Sequence, residues 1–123
     1  MTPAECVYQS VKHRLNGMEF MSFMAVASGW DFLPIERNGE VCGAVMRKGP
    51  EVHIALLPEA QNHTWIRGDI RRELSKVIAD HGHAFTWVRD GHTVGHRLAK
   101  ILGFKQKTNC IGQVRYECTE MAI

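Results

Sequence analysis

Apolar residues in the first part of the chain recur at helical spacing. The segment Pro3–Leu15 repeats an apolar residue every four positions, and Thr2 stands where a helix cap is expected, so a helix is predicted there. A second apolar stretch, Met18–Ala27, is rich in Met and Phe and predicts another helix. Its Met/Phe stripe is more typical of core packing than of a ligand groove.

The pattern then changes to short alternating runs, which are typical of strands. Asp31–Arg37 and Glu40–Arg47 flank Asn38-Gly39, the strongest two-residue hairpin signal, so they are predicted to pair antiparallel through a tight turn with positive φ. A further turn leads into Glu51–Leu57, in which apolar and more polar positions alternate. Three consecutive antiparallel strands are therefore expected.

The second half of the chain alternates helices with strands. Thr64 is placed to cap a long amphipathic helix, Trp65–His81, and the strand His83–Arg89 follows it. A right-handed crossover from strand through helix to strand predicts that Glu51–Leu57 and His83–Arg89 lie side by side and parallel. The remaining predicted elements are a helix and two strands: His92–Leu102, Lys105–Ile111 and Gln113–Glu120. The residues predicted to share one core are Ile54, Leu56, Ile70, Leu74, Phe85, Trp87, Leu98, Leu102 and Phe104.

Composition narrows the class of protein without selecting a function. The chain has 123 residues, of which 45% are hydrophobic and 23% charged, and this predicts a single globular domain over residues 1–123. A net charge of +2 with scattered basic residues makes nucleic acid an unexpected partner. Neither a signal peptide nor a membrane span is expected from the apolar runs. The four cysteines lack CxxC spacing, so no cysteine-based metal or redox site is expected, and a reducing cytoplasm is the expected location.

The order of the predicted elements resembles that of the GNAT superfamily of N-acetyltransferases, apart from that family's first strand. Three local patterns carry the resemblance: GEVCG from Gly39 resembles the opening of the family's third strand, VHIALLPE from Val52 its fourth strand, and HTVGHRLAKILGF from His92 its penultimate helix. The resemblance covers about residues 3 to 120. It implies an α/β (α+β) fold, with a mixed, mostly antiparallel sheet and a central parallel strand pair flanked by helices.

The resemblance implies acetyl-CoA as the cofactor. In such a fold the two parallel strands diverge, so that backbone groups in the gap can bind the pantetheine arm, and the next helix directs its N-terminal amides toward the pyrophosphate. The family's loop there has small residues at two positions, which Thr64 and Ile66 occupy here with Cβ atoms expected where phosphate would lie. The residues expected to hold the cofactor are Leu56, Leu57, Gln61, Thr64, Trp65, Arg67, Gly68 and His92.

The resemblance also implies roles in proton transfer. An attacking amine must lose a proton, and His53 and Glu51 share one face of the strand where the family often places its base. The family's acid is commonly a Tyr in the penultimate helix, where Ala99 stands here, and His96, one turn away, is the candidate substitute. Two plainer interpretations stay open: His53 as a strand residue bonded to a neighbour, and His96 as a surface helix residue. Backbone amides near Leu56 and Leu57 are expected to hold the oxyanion.

Two other features of the histidines and arginines have plain explanations. His92 and His96 have the i, i+4 spacing that can ligate one ion, but no carboxylate or thiolate motif completes a set, so no metal site is expected. The densest basic cluster, Arg67, Arg71 and Arg72, is typical of a solvated helix face.

Two functions of different kinds remain open at this stage. The first is an acyl-CoA-dependent N-acyltransferase that transfers an acetyl group to an amine of a small molecule or protein. The second is a catalytically inactive GNAT-like binding or structural protein. The chain is also similar to GNAT-like internal virion proteins of short-tailed phages, which implies a virion or host protein partner, or inhibition of a host enzyme, and a location in the virion. A homo-oligomer is compatible with either function.

Overall fold

The computed structural model describes residues 1–60 and 66–120. Its helices are α1 (Pro3–Val11), α2 (Phe20–Val26), α3 (Ile66–His81) and α4 (Thr93–Leu102). Its strands are β1 (Asp31–Arg37), β2 (Glu40–Lys48), β3 (Glu51–Leu56), β4 (Ala84–Arg89), β5 (Lys105–Cys110) and β6 (Gln113–Cys118). Short 3-10 turns occupy Lys12–Arg14 and Pro58–Ala60. Each element expected from the sequence is present, and several end one or a few residues earlier or later than predicted.

The first helix is shorter than its apolar spacing predicts. Thr2 caps α1 as expected: its hydroxyl accepts a hydrogen bond from the Glu5 N–H and the Glu5 carboxylate accepts one from the Thr2 N–H, both at 3.1 Å. The helix ends at Val11 rather than at Leu15, because the chain tightens there into the 3-10 turn Lys12–Arg14. This turn contributes to the candidate site, since its last residues line the cavity beside the sheet.

One six-stranded sheet runs through the molecule in the order β1-β2-β3-β4-β6-β5. Strands β3 and β4 are parallel, and every other neighbouring pair is antiparallel. The predicted fold class, a mixed and mostly antiparallel sheet with a central parallel pair flanked by helices, is confirmed. The hairpin turn between β1 and β2 is confirmed too, with φ of 53° at Asn38 and 81° at Gly39.

Helices cover both faces of the sheet. On one face α3 and α4 pack against β1 to β4 and β6, and the buried residues there include Val45, Val52, Ile70, Leu74, Val88, Leu102 and Tyr116. On the other face α1 and α2 cover only the β1–β3 half, where the buried residues are Val7, Phe23, Ala27 and Ala44. Among residues 1–60 and 66–120, no helix combines the length and the apolar character needed to cross a bilayer.

The predicted core is confirmed on the helices and incomplete on the strands. The buried members are Ile70, Leu74, Leu102 and Phe104. Three further members are only half-buried, although they pack against the same core: Ile54, Leu56 and Leu98. A divergence of the strands beside them explains this incomplete burial.

The prediction that Phe85 and Trp87 belong to the same core is wrong. Strand alternation gives the α3–α4 side of β4 to Ala84 and Val88, so the two aromatic rings lie on the opposite face, where they are half-buried. The guanidinium of Arg115 stacks over the Phe85 ring, with its Cζ 3.8 Å from the ring centroid. These rings therefore form part of the surface next to the candidate site.

Candidate functional site

The parallel strands β3 and β4 separate soon after they meet. Their only register pair in the described chain joins Glu51 to Phe85, beside a hydrogen bond of 2.9 Å from the Phe85 N–H to the Pro50 carbonyl. Strand β3 instead stays paired with β2 along its whole length, up to Leu56 opposite Gly43. A gap therefore opens in the middle of the sheet, toward the carboxyl ends of both strands.

A cavity of about 660 Å³ fills this gap. Its walls include α1 and its 3-10 turn on one side, β3 and β4 in the middle, and the first turns of α4 on the other side. The described polar residues of the lining include Ser10, His13, Arg14, His53, Thr86, Arg89, His92 and Gln113. A cavity of this size is in the range that holds small ligands and cofactor arms.

Backbone groups of β3 face the gap at alternate residues. The Pro50 carbonyl is bonded to β4, whereas the Leu57 N–H donates to the Cys42 carbonyl of β2 at 2.9 Å. Because adjacent strand residues direct their backbone groups to opposite edges, Ile54 and Leu56 direct theirs toward β4. Leu56 lines the cavity, and the amide of Leu57 is bonded within the sheet.

Two residues expected to take part in proton transfer are in contact with each other. His53 Nε2 lies 2.8 Å from Glu51 Oε2, on side chains that are 35% and 29% exposed. The His53 ring also packs against Trp30, with 5.4 Å between ring centroids. His53 lines the cavity, whereas Glu51 lies outside its described lining. Since the carboxylate only accepts, it holds the proton of the neutral imidazole on Nε2.

His96 is held within the protein by both ring nitrogens. Its Nε2 lies 2.9 Å from the Arg89 carbonyl and its Nδ1 lies 2.8 Å from the Tyr116 hydroxyl. The carbonyl can only accept, so Nε2 carries the proton and Nδ1 accepts from the tyrosine in the neutral state. His96 is outside the described lining of the cavity, and Ala99 is 6% exposed in the core. Neither residue presents an acid to the gap.

His92 caps helix α4 and lines the cavity. Its Nδ1 accepts a hydrogen bond of 2.9 Å from the Gly95 N–H. Burial lowers the pKa of His92, and the positive charges of Arg89, Arg14 and His96 lower it further. The imidazole is therefore neutral at pH 7, with its remaining proton on Nε2 as a donor toward a ligand.

The start of α3 carries three residues of the expected cofactor loop and helix start. The Ile66 side chain is 3% exposed and packs in the core with residues of α4. Arg67 is half-buried and Gly68 is exposed, both in the first turn of α3 and outside the described lining of the cavity. Gln61, Thr64 and Trp65 lie outside the described residues.

Sequence reasoning missed Arg14 and Arg89, which line the cavity beside His92. One follows a helix near the start of the chain and the other ends a strand in its second half, and neither belongs to a motif. It also missed the backbone N–H and C=O of Ile54 as groups that face the gap, because their direction depends on how β3 pairs with β2 and β4. No local signal in the sequence could have identified these groups.

Comparison with known proteins gives a clear result for the fold. No family model and no curated protein matches the chain. A GNAT family acetyltransferase from Elizabethkingia anophelis with acetyl-CoA bound superimposes with a TM-score of 0.72 at 10% identity, over 98% of this chain and 92% of that one. Ribosomal-protein-S18-alanine N-acetyltransferase from Escherichia coli gives 0.70 at 15% identity, over 97% and 89%.

A mutant form of spermidine N-acetyltransferase from Vibrio cholerae gives a TM-score of 0.73 at 12% identity, over 97% of this chain and 92% of that one. The superpositions extend over nearly the whole of both chains in all three cases. The chain therefore has the fold of the GNAT superfamily.

Proposed function

We propose that this chain, with its GNAT fold, is an acyl-CoA-dependent N-acyltransferase that transfers an acetyl group to an amine. The observation that carries the proposal is the cavity between β3 and β4, which has His53 in its wall with Glu51 bonded to it from outside the described lining. The gap exposes strand backbone to an extended ligand, and the pair supplies a base where an amine would enter. A structural neighbour binds acetyl-CoA in its crystal, which supports the same cofactor here.

The backbone of β3 would hold the pantetheine arm and the thioester. Ile54 directs its N–H and C=O groups toward the gap, and an amide-containing chain laid there would pair with them as a neighbouring strand does. We assign the oxyanion to the Ile54 N–H, because the Leu57 N–H already donates to Cys42. A fixed amide aimed at the developing negative charge stabilises the tetrahedral intermediate.

His53 would remove the proton from the attacking amine. Nε2 is held by Glu51, so Nδ1 is the nitrogen that accepts the proton, and the carboxylate stabilises the imidazolium that forms. The amine nitrogen forms a bond to the thioester carbon, the C–S bond breaks, and CoA leaves as a thiolate. The amine proton moves to His53.

The departing thiolate has no acid from α4 in this arrangement. Ala99 is buried, and both nitrogens of His96 are hydrogen-bonded to Arg89 and Tyr116. A thiol ionises near pH ~8.5, so a thiolate leaves far more easily than an alkoxide and depends less on protonation. Once His53 has taken the proton of the amine, it can donate that proton to the thiolate.

One observation favours the second candidate, a binding protein without activity. The position of the family's usual acid is filled by Ala99, a core residue that cannot transfer a proton. In that case the gap would serve only to bind a ligand or partner. Binding and turnover of acetyl-CoA distinguish the two functions directly.

The test measures acetyl-CoA binding by calorimetry and acetyl transfer to a panel of amines by thiol release. We expect the natural protein to bind acetyl-CoA and the variant His53→Ala to lose about 10²–10⁴-fold in kcat, the range of a general base, with the affinity for acetyl-CoA unchanged. His81→Ala, an exposed histidine at the end of α3, is the matched control and should keep full activity.

The Glu51→Gln variant tests the pair as a unit and should lower kcat without changing acetyl-CoA affinity. Binding without turnover on any amine would favour the second candidate. Absence of binding at millimolar acetyl-CoA would contradict the proposed transferase.

A further inference from the structure

The charged side chains in the described lining of the cavity between β3 and β4 are all positive. Its titratable side chains are His13, Arg14, His53, Arg89 and His92. Within the described lining there is no aspartate or glutamate. Glu51 contacts His53 from outside the lining, so the described residues of the lining present neutral or positive groups to a ligand.

Two arginines from distant parts of the chain line this cavity. Arg14 is the last residue of the 3-10 turn after α1, and Arg89 is the last residue of β4. Burial lowers the pKa of Arg14, and the charge of Arg89 lowers it further. Both charges also act on His92, which lines the same cavity. These effects agree with the geometry, in which Arg14, Arg89 and His92 line one cavity.

Neither arginine is neutralised in the described chain. Other arginines form ion pairs there: Arg47 with Asp31, Arg72 with Asp69, and Arg115 with Glu117. In residues 1–60 and 66–120 no carboxylate lies within ion-pair distance of Arg14 or Arg89. Both arginines are exposed and line the same cavity, so an anion bound there would be attracted by two positive charges.

Guanidinium groups bind carboxylates and phosphates through paired, charge-assisted hydrogen bonds. A polycation would be repelled by the same groups. The structure therefore favours a ligand with a negative group at the Arg14–Arg89 side of the cavity and an amine that reaches His53.

We propose that the acceptor is a small amine that carries a carboxylate or phosphate group, and that Arg14 and Arg89 bind this group. The proposal rests on the proposed transferase function and names its substrate class. A polyamine acceptor is not expected, because a cavity whose described lining carries arginines and no carboxylate selects against spermidine and similar polycations.

The first experiment compares pairs of acceptors that differ only in the anionic group. The pairs are β-alanine with its amide and phosphoethanolamine with ethanolamine, and spermidine is the cationic acceptor. We expect kcat/KM to be at least tenfold higher for the anionic member of at least one pair, and lowest for spermidine. Spermidine or the neutral member as the preferred acceptor in both pairs would overturn the proposal.

The second experiment uses Arg14→Gln and Arg89→Gln. Each should remove most of the preference for the anionic acceptor, through KM, while the dissociation constant of acetyl-CoA changes less than twofold. Arg97→Gln, an exposed arginine on α4, is the control with the same loss of charge. An equal weakening of acetyl-CoA binding would mean that these arginines hold the phosphates of CoA, and would overturn the assignment to the acceptor.

A third readout is independent of acetyl transfer. Inorganic phosphate is titrated while the amide signals of His92 and Gly95 are followed by NMR. We expect saturable shifts in the natural protein and in Arg97→Gln, with loss of saturation in Arg89→Gln. Saturable amide shifts in a protein that transfers no acetyl group would support the anion site and contradict the transferase function. Identical titrations in Arg89→Gln and the natural protein would reject the anion site whatever the activity.

Discussion

The imidazole of His92 lies directly over Gly95. Its Nδ1 accepts the Gly95 N–H at 2.9 Å, and a Cβ built on Gly95 would lie 2.1 Å from that nitrogen. Only glycine permits this approach, because any side chain would displace the ring that caps α4. The cap of the helix and the wall of the cavity thus depend on one residue without a side chain.

Gly95→Ala should destabilise the protein by about 0.5–2 kcal/mol, the cost of losing an N-cap, although alanine is the better helix former. The same change at Gly68 is the matched control, since Gly68 is also the third residue of a helix and its Cβ would meet no described atom within 4 Å. Gly68→Ala should be neutral or stabilising by up to about 1 kcal/mol. Urea denaturation of both variants measures the difference, and equal effects would contradict the close approach of His92.

Protonation of His92 should weaken the fold at acid pH. Its pKa is lowered in the folded state, first by burial and then by Arg89, Arg14 and His96. As pH falls below the unfolded value of about 6.5, the unfolded chain takes up the proton first. The contribution of His92 to stability is therefore complete above that pH and is lost as pH falls toward the folded pKa.

His92→Asn keeps a good N-cap and removes the titration. Between pH 7.5 and pH 5, the free energy of unfolding of the natural protein should fall more steeply than that of His92→Asn. Parallel curves from chemical denaturation at each pH would show that His92 does not contribute to the pH dependence.

The two sides of β4 should respond differently to truncation. Leu74 on α3 is 0% exposed in the core, so Leu74→Ala should lower the free energy of unfolding by about 2–5 kcal/mol. Phe85 is half-buried beneath Arg115 on the opposite face, and Phe85→Ala should cost less, although it removes a larger side chain. Thermal or urea unfolding provides the comparison. A larger loss of unfolding free energy for Phe85→Ala than for Leu74→Ala would show that the Phe85 ring belongs to the core.

The four cysteines should differ sharply in reactivity. Burial raises the pKa of the Cys6 thiol to about 11 and also raises those of Cys42 and Cys118, whereas Cys110 is exposed on β5. At pH 8 a thiol reagent should modify Cys110 alone in the folded protein and all four in urea. Cys110→Ser should then be unreactive until it unfolds, and rapid labelling of that folded variant would contradict the burial of the other three.

The sequence by itself determined the elements and their order. Some backbone conformations are set by a few neighbouring residues and can be recognised from them alone. Examples are the Asn38-Gly39 turn, the glycine after α4 and the alternation of β3. The parallel pairing of β3 with β4 was also predictable, because the handedness of a strand–helix–strand crossover leaves one arrangement. His53 and Glu51 could be placed on one face of the strand, because alternate residues of a strand share a face.

Tertiary structure alone decided which groups meet in the cavity. The face taken by Phe85 and Trp87 depended on the register of β4 against its neighbours, since both faces of this sheet carry apolar residues. The Leu57 N–H is hydrogen-bonded to the Cys42 carbonyl because β3 stays paired with β2 at this end of the strand. Arg14 and Arg89 line one cavity only in the folded chain, and charge clusters built from distant segments have no signature in local sequence.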